Sequence, residues 1–145
     1  MILVDANVLV ALVDERDALH RKAKRDLKSL RREPMAVTSL VLGETCFLLP
    51  DLYLRQRLRL LLGRLAIAPI ELSPPWWDDV FTWLERYADH EPDLADAQLA
   101  ALSAEVSGCR VWTYDGEFRT IWRRLDGTEI PLAAPFTSKP SRNPP

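Results

Sequence analysis

The sequence has little cysteine, little histidine and no long hydrophobic run. Its two cysteines, Cys46 and Cys109, lie far apart and in no metal-ligand spacing, which favours small buried hydrophobic residues over a disulfide or a nucleophile. The two histidines, His20 and His90, stand singly in polar segments and are expected to be structural or solvent-exposed. No stretch approaches the roughly 20 apolar residues of a membrane helix, so no membrane association is expected.

The beginning of the chain lacks the pattern of a secretory signal. Met1 leads directly into a strand-like run that carries an acid, without a charged start, an apolar middle and a cleavage site. We therefore expect a cytoplasmic protein. Its 145 residues, 48% hydrophobic and 28% charged, are typical of one globular domain.

The net charge of −2 conceals an uneven distribution. Residues 1–64 contain 12 Lys or Arg and 8 Asp or Glu, residues 65–117 contain 2 and 11, and residues 118–145 contain 5 and 2. The basic residues cluster in 16–32 and 54–64. Such clusters are usually the solvated faces of helices, and the alternative is a surface that contacts phosphates.

Hydrophobic spacing predicts strands that alternate with helices. Strands are expected at the start of 1–13 and at 35–39, 67–72, 110–113 and 128–133, and helices at 17–33, 40–50, 51–65, 76–89, 93–107 and 118–125. This alternation predicts an α/β fold with three layers and a mostly parallel central sheet of about five strands. The domain is expected to span residues 1–135, and the polar, proline-rich residues 136–145 are expected to form a mobile tail.

The opening run ILVDANVLV places Asp5 and Asn7 inside an apolar segment. Neither residue suits the interior of a strand, and a buried carboxylate is costly unless its charge is compensated. In parallel α/β sheets, ligands bind beyond the carboxyl ends of the strands. The pattern therefore predicts a buried strand interrupted at its end by a functional acid.

Four further acids lie near predicted strand ends or helix starts. Glu44 lies in a predicted helix with little polar face, which favours a polar pocket. Asp93 and Asp96 open another helix, where an N-cap role explains Asp93 by itself but need not explain Asp96. Asp115 directly follows a strand, and an Asp-Gly turn is its alternative explanation.

If these acids converge, they require a cation. Two carboxylates about 4 Å apart repel by roughly 4 kcal/mol at an effective dielectric constant of about 20. A hard divalent ion that prefers oxygen ligands relieves this repulsion, and Mg²⁺ or Mn²⁺ fits because neither Cys nor His is in range by spacing.

Four blocks of the sequence together resemble the PIN-domain ribonucleases, most closely the toxins of VapBC-type toxin-antitoxin pairs. These blocks are VDANVLV, LVLGE, LADAQLAALSAE and VWTYDGEF, and the resemblance spans residues 1 to about 133. It implies a PIN-like, Rossmann-like fold. It also implies that four acids bind the metal, namely Asp5, Glu44, Asp96 and Asp115. Two polar residues, Asn7 and Thr113, would lie beside the metal site, and Asp93 would be an accessory acid.

The resemblance further implies endonucleolytic cleavage of RNA by metal-activated water, inhibition by a cognate antitoxin, and a homodimer. The basic helices would hold the RNA backbone, and the apolar surface of residues 39–65 is our expectation for the antitoxin groove, with a plain core contact as the alternative. Two features depart from the family pattern. These are the proline-rich end after Pro135 and Gly43, which we expect to let its helix pack closely against the site.

Two alternative functions are open at this stage. A PIN-like module could keep the fold and bind RNA or protein without cutting, although an intact quartet argues against it. A haloacid-dehalogenase-like phosphatase also places Asp after a buried strand. That chemistry needs Asp at the position of Asn7 and a Lys before the distal acids, and neither is present.

Overall fold

The computed structural model describes residues 1–133. The residues predicted to form a tail, 136–145, lie outside this described part. Within it, four short strands form one parallel sheet in the order β3-β2-β1-β4. The strands are β1 (Ile2–Val4), β2 (Met35–Val37), β3 (Ala68–Pro69) and β4 (Arg110–Trp112).

Helices connect and flank these strands. They are α1 (Ala6–Val13), α2 (His20–Leu30), α3 (Ser39–Leu48), α4 (Leu52–Arg64), α5 (Trp77–Arg86), α6 (Leu94–Glu105) and α7 (Glu117–Thr120), with a 3-10 turn at Ala88–His90. Helix α1 packs against α2, α3 and α4, while α6 packs against α5, α3 and β4. The predicted α/β fold with a parallel sheet is confirmed.

The expected fifth strand is reduced to a single bridge in this structure. Leu132 lies parallel to Val111, and the flanking hydrogen bonds join Val111 N to Pro131 O at 2.7 Å and Ala133 N to Val111 O at 2.9 Å. Pro131 has no N–H to extend a ladder, which keeps this segment from pairing as a full strand. The count of about five strands is therefore corrected to four within residues 1–133.

The first strand is also shorter than the apolar run suggests. It ends at Val4, and Asp5 is the N-cap of α1, with its side chain accepting a hydrogen bond from Ala6 N. The apolar residues after Asn7 therefore belong to a buried helix rather than to a continued strand. A β-branched run fits either structure, and the capping Asp decides between them.

Tryptophans contribute the largest side chains of the core. Trp83, Trp112 and Trp122 are fully buried, and α5 packs against the core with Val80 and Trp83 buried at its centre. Thr38, Asp51 and Asp93 are the N-caps of α3, α4 and α6, and the N-cap role expected for Asp93 is thus confirmed. Both cysteines are free thiols.

Candidate active site

Polar residues collect at the carboxyl edge of the sheet. Asp5 directly follows β1, Thr38 follows β2, and Thr113 and Asp115 follow β4. Because all paired strands are parallel, these positions share one edge, where ligands bind in folds of this type. The edge lies over the starts of α1 and α3.

Asp5 is buried and held by hydrogen bonds on both carboxylate oxygens. Its Oδ1 accepts from Ala6 N at 2.7 Å, while its Oδ2 accepts from Asn7 Nδ2 at 2.7 Å and from Thr113 Oγ1 at 2.6 Å. Only 4% of the residue is exposed. Its position and orientation are therefore fixed by the strand end, the first turn of α1 and the residue after β4.

Asn7 and Thr113 extend this network to the loop after β4. Asn7 Nδ2 donates to Thr113 Oγ1 at 3.1 Å, and Asn7 Oδ1 accepts from Tyr114 N at 3.0 Å. Thr113 Oγ1 also accepts from Asp115 N at 3.0 Å, and Asp115 Oδ1 accepts from Glu117 N at 2.9 Å. The ends of β1 and β4 are thus joined into one polar unit.

The other acids come from helices and are less constrained. Asp93 and Asp96 form a reciprocal capping box, in which Asp96 N donates to Asp93 Oδ1 at 2.8 Å and Asp93 N donates to Asp96 Oδ2 at 3.2 Å. Capping therefore involves Asp96 as well as Asp93. Glu44 on α3 is half-buried and accepts no hydrogen bond from the described residues.

Burial and mutual repulsion raise the pKa of three acids. Desolvation is the main cause in each case, and it raises the pKa of Asp5 to about 6, that of Glu44 to about 7 and that of Asp96 to about 8. The charge of Asp93 adds to all three shifts, and Asp5 and Asp96 also feel Asp115. The predicted acids therefore lie within electrostatic range of one another.

The chemistry of this donor set fits a hard divalent cation. All potential ligands are carboxylate oxygens. Within residues 1–133, none of these carboxylates forms a salt bridge with a Lys or Arg side chain. A cation near these acids would favour their ionised forms and relieve the repulsion. As placed, however, no three Asp, Glu, His or Cys side chains of the described part converge closely enough to hold one ion.

Hydrogen bonds already constrain most of these carboxylates. The oxygens of Asp5 and one oxygen of Asp115 accept hydrogen bonds from protein donors, and Asp96 caps its own helix. A cation shared by the quartet therefore requires side-chain rotation, chiefly of Glu44 and Asp96. Asp5 would move least, because three donors hold it.

Comparison with known proteins identifies the fold. A model of the PIN domain matches residues 2–122. The chain belongs to the PIN-domain family. VapC20 of Mycobacterium tuberculosis, described as a toxin that cleaves the sarcin-ricin loop, is similar in structure, with a TM-score of 0.68 and 26% identity over 83% of this chain and 94% of that one. These matches confirm the resemblance to VapC-like toxins, although no curated protein sequence matches significantly.

The PIN domain also has polar contacts that the sequence did not reveal. The Glu71 carboxylate accepts from Ser39 N and from Gln98 Nε2, both at 2.9 Å, and so links the start of α3 to α6. Tyr114 Oη donates to Asp26 Oδ2 at 2.8 Å. Burial, followed by the Asp26 contact, raises the pKa of the Tyr114 hydroxyl above its usual value. Tyr114 lies in the block VWTYDGEF, but nothing in the sequence indicated Asp26 as its partner.

Gly43 does not play the expected role in this PIN domain. An added Cβ at Gly43 would meet no atom within 4 Å, so the residue faces open space rather than a closely packed site. The expectation of close packing is therefore wrong. Gly43 lies on the exposed side of α3, and the sequence could not show which side of this largely apolar helix faces solvent.

No helix within residues 1–133 of the PIN domain is long and apolar enough to cross a membrane.

The two basic segments differ in their surroundings. Both α2 and α4 pack beside α1, but α2 also contacts the loop after β4 through the Tyr114–Asp26 hydrogen bond. Only α2 is therefore tied directly to the loop that carries Thr113 and Asp115.

Proposed function

We propose that this protein is a divalent-metal-dependent endoribonuclease that acts in the cytoplasm as the toxin of a toxin-antitoxin pair. The observation that carries the proposal is the group of acids at the carboxyl edge of the sheet, where Asp5 is held by three hydrogen bonds and repels its acidic neighbours, so that a hard cation with oxygen ligands would relieve the repulsion. The PIN-domain match and the similarity to VapC20 support the same activity.

In this proposal Asp5, Glu44, Asp96 and Asp115 hold Mg²⁺ or Mn²⁺. The bound ion would supply an activated water and neutralise charge on the phosphate. Asn7 and Thr113 keep Asp5 oriented, because both donate to the same oxygen. Asp93 fixes the backbone of Asp96 through the capping box and adds negative charge beside it. No histidine or covalent nucleophile is needed.

The proposed substrate is RNA, held by the basic surface of α2. Arg21, Lys24, Arg25 and Lys28 are exposed on this helix, and the helix touches the loop of Thr113 and Asp115 through Tyr114. Cations at these positions can neutralise backbone phosphates next to the acids. Pocket shape would then select the sequence, and the sarcin-ricin loop, which VapC20 cleaves, is a natural first substrate to test.

The proposed antitoxin contact is the apolar surface of α3 and α4. Five large hydrophobic side chains are exposed there, namely Phe47, Leu48, Leu52, Tyr53 and Leu60. Exposed large hydrophobic side chains that form a patch commonly mark a protein interface. The antitoxin would cover this surface and extend to the acids, and a homodimer is proposed as the assembled form of the toxin.

A second candidate function is a PIN module that binds RNA without cutting it. The observation that favours it is that three ligands do not converge in the described residues. The phosphatase alternative has no such support. That chemistry needs a second acid at position 7. This chain has Asn7 there, and its amide donates a hydrogen bond to Asp5.

The deciding experiment is RNA cleavage by the purified protein with Mg²⁺, with Mn²⁺ and with EDTA. The substrates are a sarcin-ricin hairpin, a transfer RNA and an unstructured RNA, and Asp5→Ala is prepared identically as the control. We expect metal-dependent cutting that disappears in Asp5→Ala while the circular dichroism spectrum stays unchanged. Cutting that survives the substitution would refute the site.

A cleavage-negative result with the wild type is informative when metal binding is measured on the same sample. Binding of Mn²⁺ that Asp5→Ala weakens would indicate a narrow RNA specificity. No Mn²⁺ binding would favour the non-cutting module.

Co-expression with the product of the adjacent open reading frame tests the antitoxin, since a cognate partner should relieve growth inhibition.

A further inference from the structure

Tyr114 connects the basic helix α2 to the acidic edge of the sheet. On its outer side, the Tyr114 hydroxyl donates to Asp26 Oδ2 at 2.8 Å, and Lys22 Nζ donates to the same oxygen at 2.7 Å. The Lys22 ammonium also lies 4.6 Å from the centre of the Tyr114 ring. Trp112 Nε1 donates to the Tyr114 hydroxyl at 3.2 Å and fixes it from the sheet side.

This contact differs from an ordinary surface ion pair. The Lys22 and Asp26 side chains are only 23% and 17% exposed, so water screens their interaction less than it screens an exposed pair. Charge-assisted hydrogen bonds in such surroundings are shorter and stronger than neutral ones. The Lys22–Asp26 pair lies within α2 and orients Asp26, so the contacts that hold α2 against the loop after β4 are the Tyr114 hydrogen bond to Asp26 and the contact of Lys22 with the Tyr114 ring.

On its inner side, the backbone of Tyr114 reaches the network around the acid. Tyr114 N donates to Asn7 Oδ1 at 3.0 Å, so the Asn7 amide group must direct its NH₂ towards Asp5 Oδ2 and Thr113 Oγ1. One residue thus contacts both the helix with the basic surface and the network that orients Asp5.

Helix α2 has two faces with different tasks. Lys22 and Asp26 turn towards Tyr114, whereas Arg21, Lys24, Arg25 and Lys28 are exposed to solvent. The position of these exposed cations relative to Asp5 depends on where the helix is fixed. Cations contribute to RNA affinity by neutralising backbone phosphates, so a displaced helix should weaken substrate binding.

We propose that Tyr114 is a positioning residue that sets the distance between the RNA-binding surface of α2 and the acids at the sheet edge. This inference rests on the proposed ribonuclease function. Tyr114 acts through Asp26 on the helix, and it needs no contact with RNA. Its removal should loosen substrate binding while the bond-breaking step keeps its machinery.

The test compares Tyr114→Phe, Asp26→Asn and the double variant with the wild type. Ser29→Ala is the matched control, because it removes a hydroxyl from the same helix that bonds only the Asp26 carbonyl. For each protein, kcat and KM are measured on a fluorescent RNA hairpin that the wild type cleaves, over a range of salt concentrations. Thermal unfolding is recorded in parallel.

We expect Tyr114→Phe and Asp26→Asn each to raise KM about fivefold or more, with kcat within about twofold of the wild type. The slope of log KM against log salt should become shallower, because each phosphate that the protein no longer neutralises reduces the slope by about 0.7 for single-stranded RNA. The double variant should be no worse than the worse single variant, since Tyr114→Phe removes the same hydrogen bond that Asp26→Asn weakens by removing the charge of its acceptor. Ser29→Ala should match the wild type.

A purely structural role of Tyr114 gives a different pattern. It lowers the unfolding temperature but leaves KM and the salt slope of the folded protein unchanged, and that result would overturn the inference. A fall in kcat at constant KM would also overturn it, since Tyr114 would then act through Asn7 alone. If the wild type neither cleaves RNA nor binds it in a salt-dependent manner, the proposed function itself fails.

Discussion

The strand side and the helix side of the acidic site are built differently. On the strand side, Asp5 accepts three hydrogen bonds and is almost fully buried. On the helix side, Glu44 accepts none within residues 1–133, and Asp96 accepts one from the backbone of Asp93. The pKa rises to about 6 for Asp5 but to about 7 and 8 for Glu44 and Asp96.

This difference shows that hydrogen bonds and burial have opposite effects on the pKa of an acid. Bonds from Thr113 and Ala6 favour the ionised form of Asp5 and so offset part of its desolvation. Asp96 and Glu44 lack comparable donors, so a cation is the group that could keep them ionised. The strand side is thus preorganised, and the helix side depends on what binds.

The largest expected effect comes from Asp96→Asn on the helix side. An Asn at this position can still accept the hydrogen bond from Asp93 N, so the capping box and the fold should persist. Cleavage should fall more than about 100-fold, because removal of outer groups at metal sites already costs about 10–100-fold. Cleavage assays beside thermal unfolding check this, and activity within tenfold of the wild type would remove Asp96 from the metal site.

Thr113→Val tests the strand side and should give a mixed effect. It removes a hydroxyl that donates to Asp5 and accepts from Asn7 and Asp115 N, so stability should fall by about 1–3 kcal/mol. Cleavage should fall about 10–100-fold as Asp5 loses its orientation. Urea unfolding and single-turnover cleavage measure the two effects. Unchanged stability would show that the network is not the rigid half of the site.

The pH dependence of stability should distinguish the metal-free and metal-loaded protein. Folding raises the pKa of Asp5, Glu44 and Asp96, so the folded state holds more protons than the unfolded state between about pH 4 and pH 8. The contribution of these three acids to stability is therefore fully present at the acid end of this range and is lost as the pH rises, by up to about 1.4 kcal/mol per pH unit for each proton.

Saturating Mg²⁺ should flatten this fall, because the ion favours the ionised carboxylates. Asp96→Asn without metal should also fall less steeply than the wild type, and the difference isolates this one acid from other titrating groups. Urea unfolding at several pH values measures both. A metal-free profile that rises over this range would contradict the assigned pKa shifts.

The smallest expected effect is that of Gly43→Ala, next to Glu44 but outside the site. The added Cβ meets no neighbour, and Ala is favoured over Gly inside a helix by about 0.8–1.0 kcal/mol. Stability should rise by up to this amount, with cleavage unchanged. A drop in activity would show that α3 must bend at Gly43 for Glu44 to reach the metal.

The positions of several acids at the edge of the sheet were predictable, because they depend on the residues that neighbour them in the sequence. Asp5 had to end a buried strand, since a carboxylate could not continue it, and the Asp at 93 had the position of an N-cap. The parallel topology then brings the residue after β4 to the same edge as the residue after β1. The roles of these acids in catalysis remain predictions.

The predicted number of strands and the predicted close packing at Gly43 differ from the structure for different reasons. Pro131 lies in a run that has the pattern of a strand, and its missing N–H limits the pairing to one bridge. Gly43 lies on the open side of its helix, which depends on where the other helices dock.

The sequence by itself determined the α/β alternation, the caps and the identity of the acids, because each follows from local propensity and residue chemistry. Only the tertiary structure decided how those acids are held. The contacts of Thr113 with Asp5, of Tyr114 with Asp26 and of Glu71 with Gln98 join segments distant in the chain. Such contacts follow from packing of the whole core, and a local pattern carries no record of which partner lies opposite.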